Sequence, residues 1–194
     1  MAFRSSTFRI STVCTGNICR SPMAEYLIRR TAEERGMDAP GTEQGRERGG
    51  VVVDSFGISD EEQGNPADPR AQALLVRQGM DPSGHRARQI TAEDLQRADL
   101  VLALDLNHLR ALRHLADQHS ASEDPERLHR KIRLLRTFDP EVRDQPEDQL
   151  GIYDPWYGED SDFETTYQMI RAAVPGVLDF AAEQLDQTGS PDRD

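Results

Sequence analysis

Residues 7–35, TFRISTVCTGNICRSPMAEYLIRRTAEER, set a strand, a short loop and a helix in immediate succession. Thr7–Val13 reads as the strand, with Phe8, Ile10 and Val13 as its apolar positions. Met23–Arg35 reads as the helix. Ala24, Leu27, Ile28 and Thr31 recur there at helical spacing. Pro22 suits the first helical position, Ser21 suits the cap, and Gly36 suits the stop. Between strand and helix lies Cys14-Thr15-Gly16-Asn17-Ile18-Cys19-Arg20-Ser21. A loop entering a helix N-terminus is a ready anion site, because its backbone N–H groups and the helix dipole both favour negative charge.

The rest of the chain alternates in the same way. Val51–Val53 is a short β-branched run, and Asp68-Pro69 opens a helix through Gln78 that Gly79 closes. Thr91–Asp94 has the form of a capping box and starts a helix to about Arg97. Leu100–Leu104 is continuously apolar, as a strand buried on both faces should be. Leu106–Leu115 is helical in pattern, Asp117–Arg130 reads as a polar loop, and Ile132–Phe138 as a fourth strand. Asp38–Gly50 and Asp139–Asp162 read as loops. Phe163–Leu185 reads as the closing helix, which Pro175 should kink or split. The expected organisation is one domain over residues 1–187, followed by a tail from Thr188 to Asp194 that frays from residue 188. Strands alternating with helices imply an α/β fold with a doubly wound parallel sheet. Ligands of such sheets bind outside the carboxyl ends of the strands. Cys14 sits at such an end.

Composition narrows the partners. The 194 residues carry a formal net charge of −12, which argues against general affinity for nucleic acid or an anionic membrane. No run approaches the length of a membrane span, and Met1–Ser6 is polar with no apolar stretch after it, so no signal peptide is expected. The two cysteines both lie in the opening loop, so a disulfide-stapled fold is not expected. A cytoplasmic location is, with secretion lacking a classical signal left open. No Cys, His or carboxylate cluster has metal-ligand spacing, so neither metal nor cofactor is expected.

The loop itself suggests a chemistry. Helix-terminal donors and the Arg20 guanidinium should favour the Cys14 thiolate, which can attack phosphorus without a separate base. The Arg20 fork suits phosphate oxygens, and the loop amides can bind the charge that shifts in the transition state. Gly16 permits close backbone approach or a positive φ, and Asn17 can hold backbone groups and adopt a left-handed conformation.

Val13–Glu25, VCTGNICRSPMAE, resembles the signature of the low-molecular-weight protein tyrosine phosphatases. Val53-Asp54-Ser55 with Gly57, Gly64-Asn65-Pro66, Asp68-Pro69-Arg70-Ala71 and His85–Ile90 match in order. So do Asp105, Asp154-Pro155-Trp156-Tyr157-Gly158 and Asp160–Glu164, so the likeness spans about residues 7–180. The resemblance implies a three-layer α/β/α fold with strand order 2-1-3-4. It implies Cys14 as nucleophile, Arg20 as phosphate ligand and Asp154 as general acid and then base. Thr15, Gly16, Asn17, Ile18, Cys19 and Ser21 would form the phosphate cradle, with the Ser21 hydroxyl stabilising the thiolate. Asn17, Ser55 and His85 match residues that brace the loop. Trp156 and Tyr157 would wall the substrate ring. Cys19 is either a small filler or, as the family implies, the partner of a reversible disulfide with Cys14. The implied partner is a phosphotyrosine protein acted on by a monomer, with inorganic phosphate as product and inhibitor.

Two positions bear on the substrate. The segment Ser59-Asp60-Glu61-Glu62-Gln63 stands where the family often carries an aromatic or apolar residue. It is either an acidic rim that favours basic peptides or a solvated loop. Ile18 stands where the arginine-phosphatase branch of the family favours Thr. The competing readings are an arginine phosphatase, an arsenate reductase lacking its further cysteines, and a phosphate-binding or redox-sensing module with no use for Asp154. His108, His114, His119 and His129 read as solvated positions.

Overall fold

The computed structural model describes residues 7–37, 50–119 and 125–189. Four parallel strands form one sheet in the order β2-β1-β3-β4, and the expected fold class and strand order are both observed. β1 is Thr7–Cys14, β2 is Gly50–Gly57, β3 is Leu100–Ala103 and β4 is Ile132–Leu134. The register pairs Cys14 with Gly57, Ile10 with Leu100 and Val101 with Ile132.

β3 is buried on both faces, and the apolar side chains of the sheet divide between two cores. On one face Phe8, Ile10, Val51, Val53, Leu100 and Leu102 pack with two helices, α1 (Arg20–Glu34) and α6 (Asp160–Gly189). Met23, Leu27 and Ile28 come from α1, and Phe163, Ile170, Val174 and Val177 from α6. On the other face Val13, Phe56, Val101, Ala103, Ile132 and Leu134 meet Leu95, Leu109, Leu112, Ala116 and Leu128. Those belong to α3 (Ala92–Arg97), α4 (Leu106–Gln118) and α5 (Pro125–Lys131). The remaining helix, α2 (Pro69–Arg77), starts on Asp68, whose side chain accepts from the Arg70 N–H, and ends before Gly79 at φ 79°. The capping box of α3 is complete, with Thr91 and Asp94 each accepting from the other's backbone N–H.

Several boundaries differ from the expectations. Helix α1 begins at Arg20 rather than after Ser21, with Cys19 at its cap position and no side-chain cap. The Ser21 hydroxyl is engaged inside the loop that follows β1 instead, and Pro22 still falls in the first turn, where its missing N–H costs nothing. Within the expected loop Asp117–Arg130, the first two residues extend α4 and residues 125–130 belong to α5, while 120–124 lie outside the described residues. Leu128 is fully buried against α4, which is enough to hold a short helix whose other positions are polar. The fourth strand stops at Leu134 because Leu135 and Phe138 turn as a 3-10 segment onto α6. Gly176 on α6 lies so close that any Cβ there would collide with the Phe138 carbonyl. Helix α6 runs three residues earlier and four residues later than expected, with Pro175 inside it but not ending it. The lost hydrogen bond is offset by the apolar face from Ile170 to Ala181, which is buried along its length. Thr188 and Gly189 therefore continue the helix, and the rest of the expected tail lies outside the described residues. The expected loop Asp38–Gly50 also lies outside them, except Gly50, which opens β2.

Candidate active site

The end of β1 delivers the thiol. Cys14 is the last residue of the strand and is buried, and its Sγ lies 3.1 Å from Ser21 Oγ. The loop after it is tied down by three backbone hydrogen bonds. Ile58 and Ser59 donate backbone N–H bonds to the carbonyls of Cys14 and Thr15, at 2.9 and 3.1 Å, and Asp68 donates to Ile18 at 2.8 Å. Gly57 allows the first approach, since a Cβ there would overlap the Thr15 carbonyl. Gly16 faces the Glu62 side chain. The positive φ falls on Asn17, at 58°, and not on Gly16.

Asn17 accounts for every polar atom of its side chain. Nδ2 donates to Ser21 Oγ and Ser55 Oγ, both at 2.9 Å, and Oδ1 accepts from the Arg88 N–H at 3.0 Å. His85 Nε2 sits 2.7 Å from the Asn17 carbonyl, and the Ser55 hydroxyl donates to Glu25 at 2.6 Å. Because Asn17 occupies a lone pair of Ser21, the single Ser21 proton chooses between the Phe56 carbonyl at 3.1 Å and Cys14 Sγ. A thiolate competes for that proton better than a neutral carbonyl does.

Arg20, at the start of α1, is 4% exposed and is held by two carboxylates. One nitrogen donates to Asp105 Oδ2 at 2.8 Å and to the Ile152 carbonyl at 3.3 Å, and the other donates to Asp154 Oδ2 at 2.7 Å. Asp105 also caps α4, its Oδ1 accepting from the N–H groups of Asn107 and His108. Burial alone would raise the Asp105 carboxyl. The His108 ring and backbone N–H, together with Arg20, outweigh it and hold the carboxyl below its ordinary range. The segment bearing Asp154 is stitched to the sheet, because Ile152 donates to the Leu104 carbonyl at 2.7 Å.

Cys14, Thr15, Gly16, Ile18, Cys19, Arg20, Glu61, Glu62, Asp154, Trp156 and Tyr157 line one pocket of about 300 Å³. It brings together most of the residues read from the sequence. Asn17, Ser21, Ser55 and His85 lie beneath it as bracing. Trp156 and Tyr157, on its rim, are exposed, Tyr157 almost fully at 98%. Of the acidic stretch, Glu61 and Glu62 face the pocket, and Asn65 holds Glu62 at 2.7 Å. Burial, then Asp68, Cys14 and Asp154, push the Cys19 thiol well above its ordinary value, which keeps it protonated. Both cysteines are free. Among the described residues no group of three His, Cys, Asp or Glu could hold a metal ion, and no helix is long and apolar enough to cross a membrane.

Two residues carry more than the sequence reading gave them. Asp105, which resembles a family motif but has no expected role, both grips Arg20 and caps α4. His108, expected at a solvated position, is 1% exposed and touches Thr15. Its spacing on the buried stripe with Leu109, Leu112 and Ala116 was the available signal. His114 and His119 are exposed and His129 half-buried.

Residues 9–190 match the family model described as low molecular weight phosphotyrosine protein phosphatase. A low molecular weight protein-tyrosine-phosphatase from Streptomyces coelicolor is 41% identical over 180 residues, covering 93% of this chain and 97% of the relative. The human low molecular weight phosphotyrosine protein phosphatase is 40% identical, covering 84% of this chain and 89% of its own length. Among solved structures, YfkJ from Bacillus subtilis superposes with a TM-score of 0.73 at 29% identity, covering 93% of this chain and 98% of that one. The Drosophila arginine phosphatase superposes at 0.72 and 26% identity, covering 89% and 96%. With a matching family model across nearly all its length and relatives at about 40% identity, the chain belongs to the low molecular weight phosphotyrosine protein phosphatase family.

Proposed function

We propose that this chain is a metal-independent protein tyrosine phosphatase working through a phospho-cysteine intermediate. The observation that carries the reading is one pocket holding Cys14 at its base, Arg20 beside it and Asp154 paired to Arg20 at 2.7 Å. The Cys14 thiolate attacks phosphorus, and the bond from phosphorus to the tyrosine oxygen breaks. The phosphate takes over the Arg20 fork and frees Asp154, which accepts the proton carried in by the phosphate monoester and gives it to the departing phenolate. Arg20 and the amides of Thr15 to Arg20 bind the three equatorial oxygens throughout. Asp154, now a carboxylate, then takes a proton from water. The water oxygen attacks phosphorus, the S–P bond breaks, and inorganic phosphate leaves with the thiolate restored.

Ile18 and the Trp156-Tyr157 wall give the pocket apolar surface suited to an aromatic ring, which supports phosphotyrosine over phosphoarginine. The reading takes residues 1–187 as one domain acting as a monomer in the cytoplasm. Two free cysteines fit a reducing compartment. On oxidation Cys19 would close a disulfide with Cys14 and protect it from irreversible oxidation.

Hydrolysis of para-nitrophenyl phosphate in EDTA tests the reading. The native protein should turn over, Cys14→Ser should be inactive, and with phenyl phosphate as the substrate, whose phenolate leaves poorly, Asp154→Asn should lose about 10²–10⁴ in kcat. An active Cys14→Ser protein refutes the mechanism. Faster hydrolysis of phosphoarginine than phosphotyrosine peptides refutes the substrate class.

A further inference from the structure

We propose that His108 is a positioning residue that ties both ends of the phosphate cradle to the start of α4. The proposal rests on the phosphatase reading above. His108 lies in the first turn of α4 and is 1% exposed. Its Nε2 sits 3.0 Å from Thr15 Oγ1, across 93 residues of chain. Its Nδ1 lies 3.1 Å from Asp105 Oδ1, off the axis of a regular hydrogen bond, while the other oxygen of Asp105 holds Arg20. The ring therefore stands between residue 15, the first after the thiol, and the carboxylate that aims Arg20.

The proton assignment follows from the neighbours. A nitrogen facing an ionised carboxylate carries the proton, so Nδ1 is protonated and Nε2 presents its lone pair. The Thr15 hydroxyl then donates to Nε2. Burial, opposed by Asp105 and assisted by Arg20, lowers the His108 pKa to about 4, which keeps the ring neutral at neutral pH. Thr15 is thus held twice, through its hydroxyl by His108 and through its carbonyl by the Ser59 N–H at 3.1 Å. These two contacts fix the first peptide of the loop that would cradle the phosphate. The Nδ1 edge of the same ring lies against Asp105, whose other oxygen holds Arg20. A leucine in place of His108 would fill the space and keep neither contact.

The test is a double-mutant cycle on Thr15→Val and His108→Leu, with His108→Gln as the conservative variant. The readouts are the dissociation constant of inorganic phosphate, measured by calorimetry, and kcat and KM on para-nitrophenyl phosphate. Each single variant should weaken phosphate binding by about tenfold, and the double variant should be no weaker than the worse single. His108→Gln places an amide where Nε2 was and should recover most of the loss. Additive losses, or His108→Leu binding phosphate as the native protein does, overturn the proposal. So does His108→Gln behaving like His108→Leu at equal thermal stability, since packing would then be its only role. If His108→Leu does not fold, Thr15→Val and His108→Gln decide. Thr15→Val must then weaken phosphate in the native background and lose no more when combined with His108→Gln than alone. If the native protein binds phosphate but hydrolyses nothing, the phosphatase reading fails while the phosphate cycle still judges His108.

Discussion

Lowering the pH should destabilise this fold through His108 alone by an amount that can be worked out. The ring is buried and neutral, with a pKa of about 4 against 6.5 for an unhindered histidine. Between those two values the unfolded chain binds a proton that the folded chain refuses, so stability falls as pH falls. The contribution is complete above the unfolded value, is lost progressively through the window, and is constant again below the folded value. Moving from about pH 7.5 to about pH 5 should remove about 2 kcal/mol by this route. With a urea dependence of about 2 kcal/mol per molar, the midpoint should fall by about 1 M. His108→Gln cannot titrate, so urea melts of native and variant protein at the two pH values isolate the effect. The native midpoint should drop by about 1 M more than that of the variant. Equal drops would refute the claim that the histidine is held neutral inside the fold.

Four further outcomes follow from the packing and the pocket. Gly176→Ala should lower stability by about 1–3 kcal/mol, read as a fall of several degrees in thermal midpoint, because its Cβ meets the Phe138 carbonyl; an unchanged midpoint removes the close approach. Leu128→Ala should cost about 2–5 kcal/mol in urea unfolding, since Leu128 is the one apolar anchor within α5; a loss under half that indicates α5 is held otherwise. Glu61→Gln with Glu62→Gln should lower kcat/KM on phosphotyrosine peptides flanked by Lys or Arg and raise it on those flanked by Asp or Glu. The change should be about two- to fivefold and fade in high salt, and indifference to peptide charge would mark the stretch as merely solvated. Peroxide should inactivate the native enzyme and dithiothreitol restore it, whereas Cys19→Ala should recover poorly; equal recovery ends the protective reading of Cys19.

What could be read from the chain depended on how local the signal was. Thr7 to Glu34 writes strand, loop and helix in sequence order, so the element that carries Cys14 and Arg20 was readable from spacing alone. Asp154 reaches Arg20 across 134 residues, and no periodicity announces such a pairing; only the resemblance connected them. Helix α5 escaped because six of its seven residues are Pro or polar, and Leu128 alone buries the contact that keeps it helical. The fourth strand looked longer than it is because Leu135 and Phe138 are apolar for α6 and not for the sheet. His108 reads as solvated because a polar side chain on the buried stripe of α4 carries no local mark of its burial.

Asp105 divides its labour between two oxygens, and that division lets folding and activity be separated at a single atom. Oδ1 caps the helix and Oδ2 grips the guanidinium. An asparagine can keep an oxygen on the backbone N–H groups while turning its amide toward Arg20, donor against donor. Asp105→Asn would thus keep its helix and lose its grip on the arginine. An alanine there would forfeit both. This position joins the fold to its chemistry, and natural variation at it would face two independent filters.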